Sequence, residues 1–360
     1  MKYCPMKIQS ISRIGLSVSI FLLLFWDTGR ADSKAGPAAP DLPFKISGWT
    51  EVIQSVSDLD LLVKQLQDIA GWEVILRGSL DEETLAAWQL DPAITATQAL
   101  MGNPGSSRGF IRLVQFQGAG QIQIRSSART WESGGILDIN VRVLDMEANF
   151  HEFQSRGWQA HSDPVQYSFG PFEVKEWITI GPDGLSFALI ERIKPELEGW
   201  PEMKDISRAF NSTQVVRDMP AALHFYRDVL GFQKYINWTG VSDSPGPSVL
   251  GLPRELTTTI ERDVWILHPQ GINEGSVELL HFNGLSGRDL AEHAIPPNLG
   301  MLMLRFPVTN LDALEDRLAQ YGVRTEGPIS RHHLAPWGDV RQLSVRAPDG
   351  AWLEFYEEVE

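Results

Sequence analysis

Four stretches of this 360-residue chain share one pattern of apolar and polar positions. Each opens on a short run of partial apolar alternation, which predicts a strand. The runs are EVIQSV (51–56), ILDINVRV (136–143), FNSTQVV (210–216) and LMLRFPV (302–308). An Asp or Asn follows, at Asp58, Asp145, Asp218 and Asn310, placed to cap a helix by accepting from its free first-turn N–H groups. Apolar residues then recur at three- and four-residue steps, as at Leu311, Leu314, Leu318 and Tyr321, which predicts an amphipathic helix. A glycine closes each helix, at Gly71, Gly157, Gly231 and Gly322. Strand-rich sequence follows, punctuated by turn signals such as GPDG (181–184) and APDG (347–350). The unit reads strand–helix–strands, four times, and such a repeat fixes architecture first.

The copies also fall into pairs. The first and third carry long inserts before their last strands, GFIRLVQFQG (109–118) and GSVELLHFNG (275–284). The second and fourth end on PDG followed by an apolar strand, LSFALIE (185–191) and AWLEFYE (351–357). The chain is therefore expected to be a duplicated two-module arrangement, residues 44–193 and 206–360, joined by a charged, proline-containing linker at 194–205.

The run DMPAALHFYRDVLGF (218–232), then ELLHFNG (278–284), then PWGDVRQLSVRAPDGAWLEF (336–355), resembles the vicinal oxygen chelate superfamily. That group includes glyoxalase I, extradiol dioxygenases, fosfomycin- and bleomycin-resistance proteins and methylmalonyl-CoA epimerase. The resemblance implies an α+β fold of four βαβββ modules paired into two cup-shaped domains. It also implies where chemistry would lie: one group from each module's first strand and one from its last. Carried over position by position, the first-strand set is Glu51, Asp138, Asn211 and Met303, and the last-strand set is Arg112, Ala188, Glu278 and Glu354. Side chains two apart on a strand share a face, so paired modules can converge four such groups on one point.

No first-strand position holds the His that such relatives use. If modules pair in chain order, the C-terminal cup offers Asn211, Glu278, Met303 and Glu354, and the N-terminal cup Glu51, Arg112, Asp138 and Ala188. If outer and inner modules pair, Asp138, Asn211 and Glu278 meet. The sequence leaves both pairings open. Glu278, Glu354, Asn211 and Asp138 are the candidate metal ligands. An oxygen-preferring ion such as Mg²⁺, Mn²⁺ or Ca²⁺ suits them better than Zn²⁺ or Fe²⁺, and no metal is an equal expectation.

Glu278 and Glu354 sit in apolar strands, where an unpaired carboxylate is costly, so each needs a cation, an Arg or a wet cup. They are the candidate proton carriers, with His332 and His333 of RHHLAPWGD at a cup mouth, since imidazole titrates near working pH. A solvated loop pair is the plain alternative for the two histidines. Arg305 and Arg112 are candidates for an anionic substrate or for neutralising a carboxylate, and Trp337 for lining the pocket.

Residues 1–31 have basic Lys2, Lys7 and Arg13, an apolar core at 14–26 and small residues Gly29 and Ala31, which predicts a cleavable secretion signal followed by a short linker at 32–43. An uncleaved single-pass anchor is the alternative. The only cysteine, Cys4, lies ahead of that core, so cleavage leaves a protein without thiols and points to a periplasmic or secreted location. The chain carries 31 basic and 46 acidic side chains, net −15, which disfavours phosphate backbones and anionic membranes as partners. A duplicated chain can satisfy module pairing within itself, so oligomerisation is not required. Three classes remain: an enzyme of isomerase or lyase type acting on a small oxygenated metabolite (ring-cleaving oxygenation ranks below these), a metal-free small-molecule binder, and a non-catalytic interaction module with filled cups.

Overall fold

The structure, a computed structural model, describes residues 41–359 and the backbone of 30–32. The expected secretion signal otherwise lies outside the described residues, as does most of the linker after it. A three-residue strand β1 (Arg30–Asp32) is followed by β2 (Lys45–Ile46). Module 1 comprises β3 (Glu51–Ser55), α1 (Leu59–Ala70), β4 (Glu73–Ser79), α2 (Glu82–Ala87), β5 (Thr95–Gly102) and β6 (Phe110–Gln117). Module 2 comprises β7 (Asp138–Val143), α3 (Met146–Ser155), β8 (Gln159–Ala160), β9 (Val165–Phe169), β10 (Phe172–Ile180) and β11 (Ser186–Lys194). Module 3 comprises β12 (Asn211–Val215), α4 (Met219–Leu223), β13 (Gln233–Gly240), β14 (Glu261–His268) and β15 (Ser276–Asn283). Module 4 comprises β16 (Gly300–Thr309), α5 (Leu311–Gln320), β17 (Ser330–Leu334), β18 (Gly338–Arg346) and β19 (Trp352–Glu358).

The caps are where the pattern puts them. The side chains of Asp58, Asp145, Asp218 and Asn310 accept from the backbone N–H three residues on, at 3.0, 3.0, 2.9 and 3.3 Å. Gly71, Gly157, Gly231 and Gly322 all take positive φ, the left-handed conformation that ends a helix at least cost in a residue without Cβ. In module 3 the helix changes character after α4: residues His224–Val229 form a π-helical stretch before the closing glycine.

The pairing left open by the sequence is outer with outer and inner with inner. Strands β7 and β12 pair antiparallel, joining modules 2 and 3 in one sheet, and β3 pairs antiparallel with β16, joining modules 1 and 4 in the other. Both sheets are therefore shared across the linear halves 44–193 and 206–360 instead of each being confined to one. Within each linear half the contact is through the convex, helix-covered faces, as where Trp72 meets Phe187 edge-on and Phe232 meets Phe306. The largest apolar core draws on all four modules, including Leu62, Val141, Val229 and Phe306. Burying this continuous layer is the main favourable term in folding.

Alternation decides what enters each cup. On β7 the convex-side residues Ile139, Val141 and Val143 join that core, while Asp138, Asn140 and Arg142 face the concave side. Among the described residues no helix is long and apolar enough to cross a membrane.

Candidate functional site

The two cups have different contents. In the cup of modules 1 and 4 every candidate position is occupied by protein. Glu51 accepts from Arg112 through Nε at 2.9 Å and Nη2 at 3.0 Å, and also from Arg305. Arg305 Nε donates to Glu354 Oε2 at 2.8 Å. Glu354 Oε1 accepts from Trp88 Nε1 at 2.5 Å and Gln342 Nε2 at 2.7 Å, and Arg112 further donates to Gln98 and to the Ala335 carbonyl. Glu51, Arg305 and Glu354 are all wholly buried. Burial opposes the Arg305 charge, but Glu354 and Glu51 more than offset it, so its pKa moves up. Two carboxylates and two guanidiniums close on one another, and α2 delivers Trp88 as a plug. This is a filled cup.

The cup of modules 2 and 3 is open, with a cavity of about 230 Å³. Three carboxyls face it: Asp138 on β7, Glu176 on β10 and Glu278 on β15. Thr213 on β12 lies in register between Asp138 and Glu278, so the two acids flank one strand. Adjacent strands are about 4.8 Å apart, which sets these two backbones about 10 Å from each other with room for a ligand atom between their side chains. Glu278 touches the cavity while lying deep in the protein; burial, then the charges of Glu176 and Asp138, push its carboxyl well above the usual carboxylate range. Asp138 is pushed up to about 7, first by burial and then by Glu176, against a hydrogen bond from Thr213. Its Oδ1 is buried without a partner. Glu176 is raised by burial as well, moderated by the Tyr167 hydroxyl that donates to it and by Arg142. Three acids raised by burial, two of them also by a neighbouring acid's charge, are the pattern of a site that holds protons near neutral pH.

The residues singled out from sequence divide between the cups. Glu278 and Asp138 come together. Glu354, Arg305 and Arg112 belong to the other sheet, so Glu278 and Glu354 cannot share an ion and the set Asn211, Glu278, Met303, Glu354 does not form. Asn211 sits at the seam with both ends of its amide engaged: Oδ1 accepts from Asn140 at 2.8 Å and Nδ2 donates to Ser276 Oγ at 2.6 Å. Trp337 covers the Arg112 guanidinium at 5.6 Å and packs on Tyr356 in the filled cup. His332 is buried on the filled-cup side, where burial lowers its pKa, and His333 is exposed beside Asp339 at 2.8 Å. Neither histidine lines the open cavity.

The open cup falls short of the four-donor chelate that the sequence resemblance implies. Of the four equivalent positions in the open cup, Asp138 and Glu278 carry carboxyls, Asp138 already accepting from Thr213, while Asn211 is spent on neighbours and Ala188 offers no donor. Among the described residues no group of three or more His, Cys, Asp or Glu is arranged to hold a metal ion. The donors do not fit a resident divalent cation. Glu176, Tyr167, Arg142 and Arg192 also line the cavity and were missed from sequence. Arg142 carried a signal, standing two and four residues beyond Asn140 and Asp138 on the same strand face.

Comparison with known proteins supplies the relatives. The family model described as Glyoxalase/Bleomycin resistance protein/Dioxygenase superfamily matches residues 209–355. Glyoxalase I of Zea mays superposes with a TM-score of 0.58 at 14% identity, covering 88% of this chain and 93% of that one. A dioxygenase candidate from Bacillus subtilis gives 0.53 at 11%, covering 88% and 86%. Identities this low establish the shared fold alone. No curated protein matches the sequence.

Proposed function

From the match of residues 209–355 to the glyoxalase, bleomycin-resistance and dioxygenase superfamily, and from the fold shared with such proteins, we propose that the cup of modules 2 and 3 is the working site of an exported isomerase- or lyase-type enzyme. Its substrate is a small oxygenated metabolite with an enolisable carbonyl. The observation that carries this reading is the pair Asp138 and Glu278, flanking Thr213 at the cavity, with Asp138 pushed up to about 7 and Glu278 pushed well above the usual carboxylate range by burial. Asp138, when ionised, takes the proton from the carbon beside the carbonyl. The C–H electron pair moves to the carbonyl oxygen as the enolate forms, and the Glu278 carboxyl donates a proton there. Return of a proton to carbon completes an isomerisation, and loss of a neighbouring group completes an elimination. Matching a general acid or base to the operating pH in this way typically contributes about 10²–10⁴-fold.

The test is proton–deuterium exchange at carbon, followed by NMR in D₂O over a panel of 2-oxo and 2-hydroxycarbonyl compounds. Exchange that falls about a hundredfold or more in Glu278→Gln and Asp138→Asn supports the assignment. Exchange that persists in both variants removes it. The metal-free binder is the second reading, favoured by the missing donors at Ala188 and Asn211. A ligand that raises the melting temperature without any exchange across the panel would establish that reading instead. Export is proposed from residues 1–31, and N-terminal sequencing of the mature protein from its native compartment reads it directly.

A further inference from the structure

Two guanidiniums in the open cup, that of the buried Arg142 and that of the half-buried Arg192, lack the carboxylate partners that Arg112 and Arg305 have in the filled cup. Arg142 is 5% exposed, lines the cavity, and its side chain makes no hydrogen bond or ion pair among the described residues. Its Nε is buried without an acceptor. Arg192, near it on β11, also lines the cavity and also leaves Nε without an acceptor. Each lies over an aromatic face, Arg142 at 4.3 Å from the Phe210 centroid and Arg192 at 4.1 Å from that of Phe172. A ring face orients a guanidinium but does not neutralise it. Glu176 is within electrostatic reach of Arg142 but bonds to Tyr167 instead. The filled cup is an internal control, since there Arg112 and Arg305 are both tied to carboxylates. A buried charge left unpaired is expensive, and Arg142 is such a charge facing a cavity, with the half-buried Arg192 beside it.

We propose that the open cup binds an organic carboxylate, its anionic head against Arg142 and Arg192 and its reacting oxygen at Asp138 and Glu278. This rests on the reading of that cup as the working site and names its substrate class. Asp138 and Arg142 share one strand face four residues apart, which spaces the two ends by about 13 Å of backbone at 3.3 Å per residue. Phe172, Trp238 and Leu250 on the walls suit an apolar body between them. The planar guanidinium fork matches a carboxylate through paired N–H donors, and a phosphate dianion loses more hydration on entering so small a cavity. Arg142 is depressed to about 9, by burial first and by Arg192 second, and so remains charged at neutral pH. Burial shifts the acids opposite it toward their neutral forms, which lessens their repulsion of the anion.

The experiment is calorimetric titration and thermal melting of the full mature chain with matched probes. These are 3-phenylpropionate, indole-3-acetate and 2-oxo-4-phenylbutyrate, each against its amide, with phenyl phosphate as a further arm. Carboxylates are expected to bind and raise the melt, and their amides to bind about tenfold or more weakly. Arg142→Met should lose that preference, Arg142→Lys should recover part of it, and Arg192→Met should weaken it in a protein whose circular dichroism is unchanged. Equal binding of acids and amides, no binding by any carboxylate, unaltered preference in both Met variants, or tighter binding of phenyl phosphate would each overturn the proposal. Glu278→Gln separates the two readings. Carboxylate preference retained there, with no exchange in any protein, leaves the anion site standing and removes proton transfer. Exchange on uncharged ketones as fast as on oxo-acids does the reverse.

Discussion

The two cups share one fold and one set of equivalent positions, yet one is a closed lattice of charges and the other a cavity. The difference lies in which side chains can touch. Around Glu51 and Glu354, Arg112 comes from the last strand of module 1 and Arg305 from two residues past the first-strand position of module 4, and both reach the carboxylates. Around Asp138 and Glu278, the corresponding last-strand residue is Ala188, and the cations stand further along the sheet at Arg142 and Arg192. Charge count is similar in the two; contact is not. A duplicated scaffold can thus devote one copy of its site to stability and keep the other available.

The comparison breaks most visibly at Arg305. Arg305→Met leaves Glu51 with Arg112 alone and strips Glu354 of its cation, and should destabilise the protein by about 3–5 kcal/mol in urea titration. The matching change in the open cup, Glu278→Gln, removes a poorly solvated acid and should leave stability within about 1 kcal/mol of the parent, or above it, while ligand exchange chemistry is lost. A cost as large as that of Arg305→Met would show that the open cup is also a structural lattice. Acidity sharpens the contrast further. Asp138 has its folded pKa raised to about 7 above an ordinary value near 3.8, so its contribution favours the protonated fold. That contribution is complete below about pH 4 and is lost as pH rises through about 7. Melting curves of Asp138→Asn and the parent should therefore converge in acid and separate by several degrees in favour of the variant by about pH 8. The smallest effect expected is that of chelator: the melt of the parent should not move on adding EDTA, because the open-cup donors do not form a metal set. A raised melt with Mg²⁺ or Mn²⁺ would contradict this.

Much of the architecture was legible because it is written locally. A cap such as Asp58 and a stop such as Gly71 act within one turn, and the alternation of DINVRV sorts its own faces. The pairing of modules was not legible, because the first strands are buried on both sides and β3 carries no mark that selects β16 over β7. That choice depends on residues about 250 apart, as in the contact of Arg305 with Glu51. The site suffered the same way. Glu278 and Asp138 were identified, but their separation from Glu354 follows from the pairing. Glu176 was invisible because its role arises only when β10 curls toward β15. Arg142 was within reach of the alternation rule and passed over for positions nearer the strand start.

Nested pairing also orders events in time. Synthesis proceeds from the N-terminus, so modules 2 and 3 are both complete while most of module 4 does not yet exist. The inner sheet can close on its own cavity early, whereas the β3 strand must wait for β16, the last module's first strand, before its Glu51 finds Arg305. Until then module 1 carries an unpaired strand edge, and its Glu51 has Arg112 as its one cationic partner. A chain that crosses a membrane before folding would meet its partners all at once, and would be spared that interval.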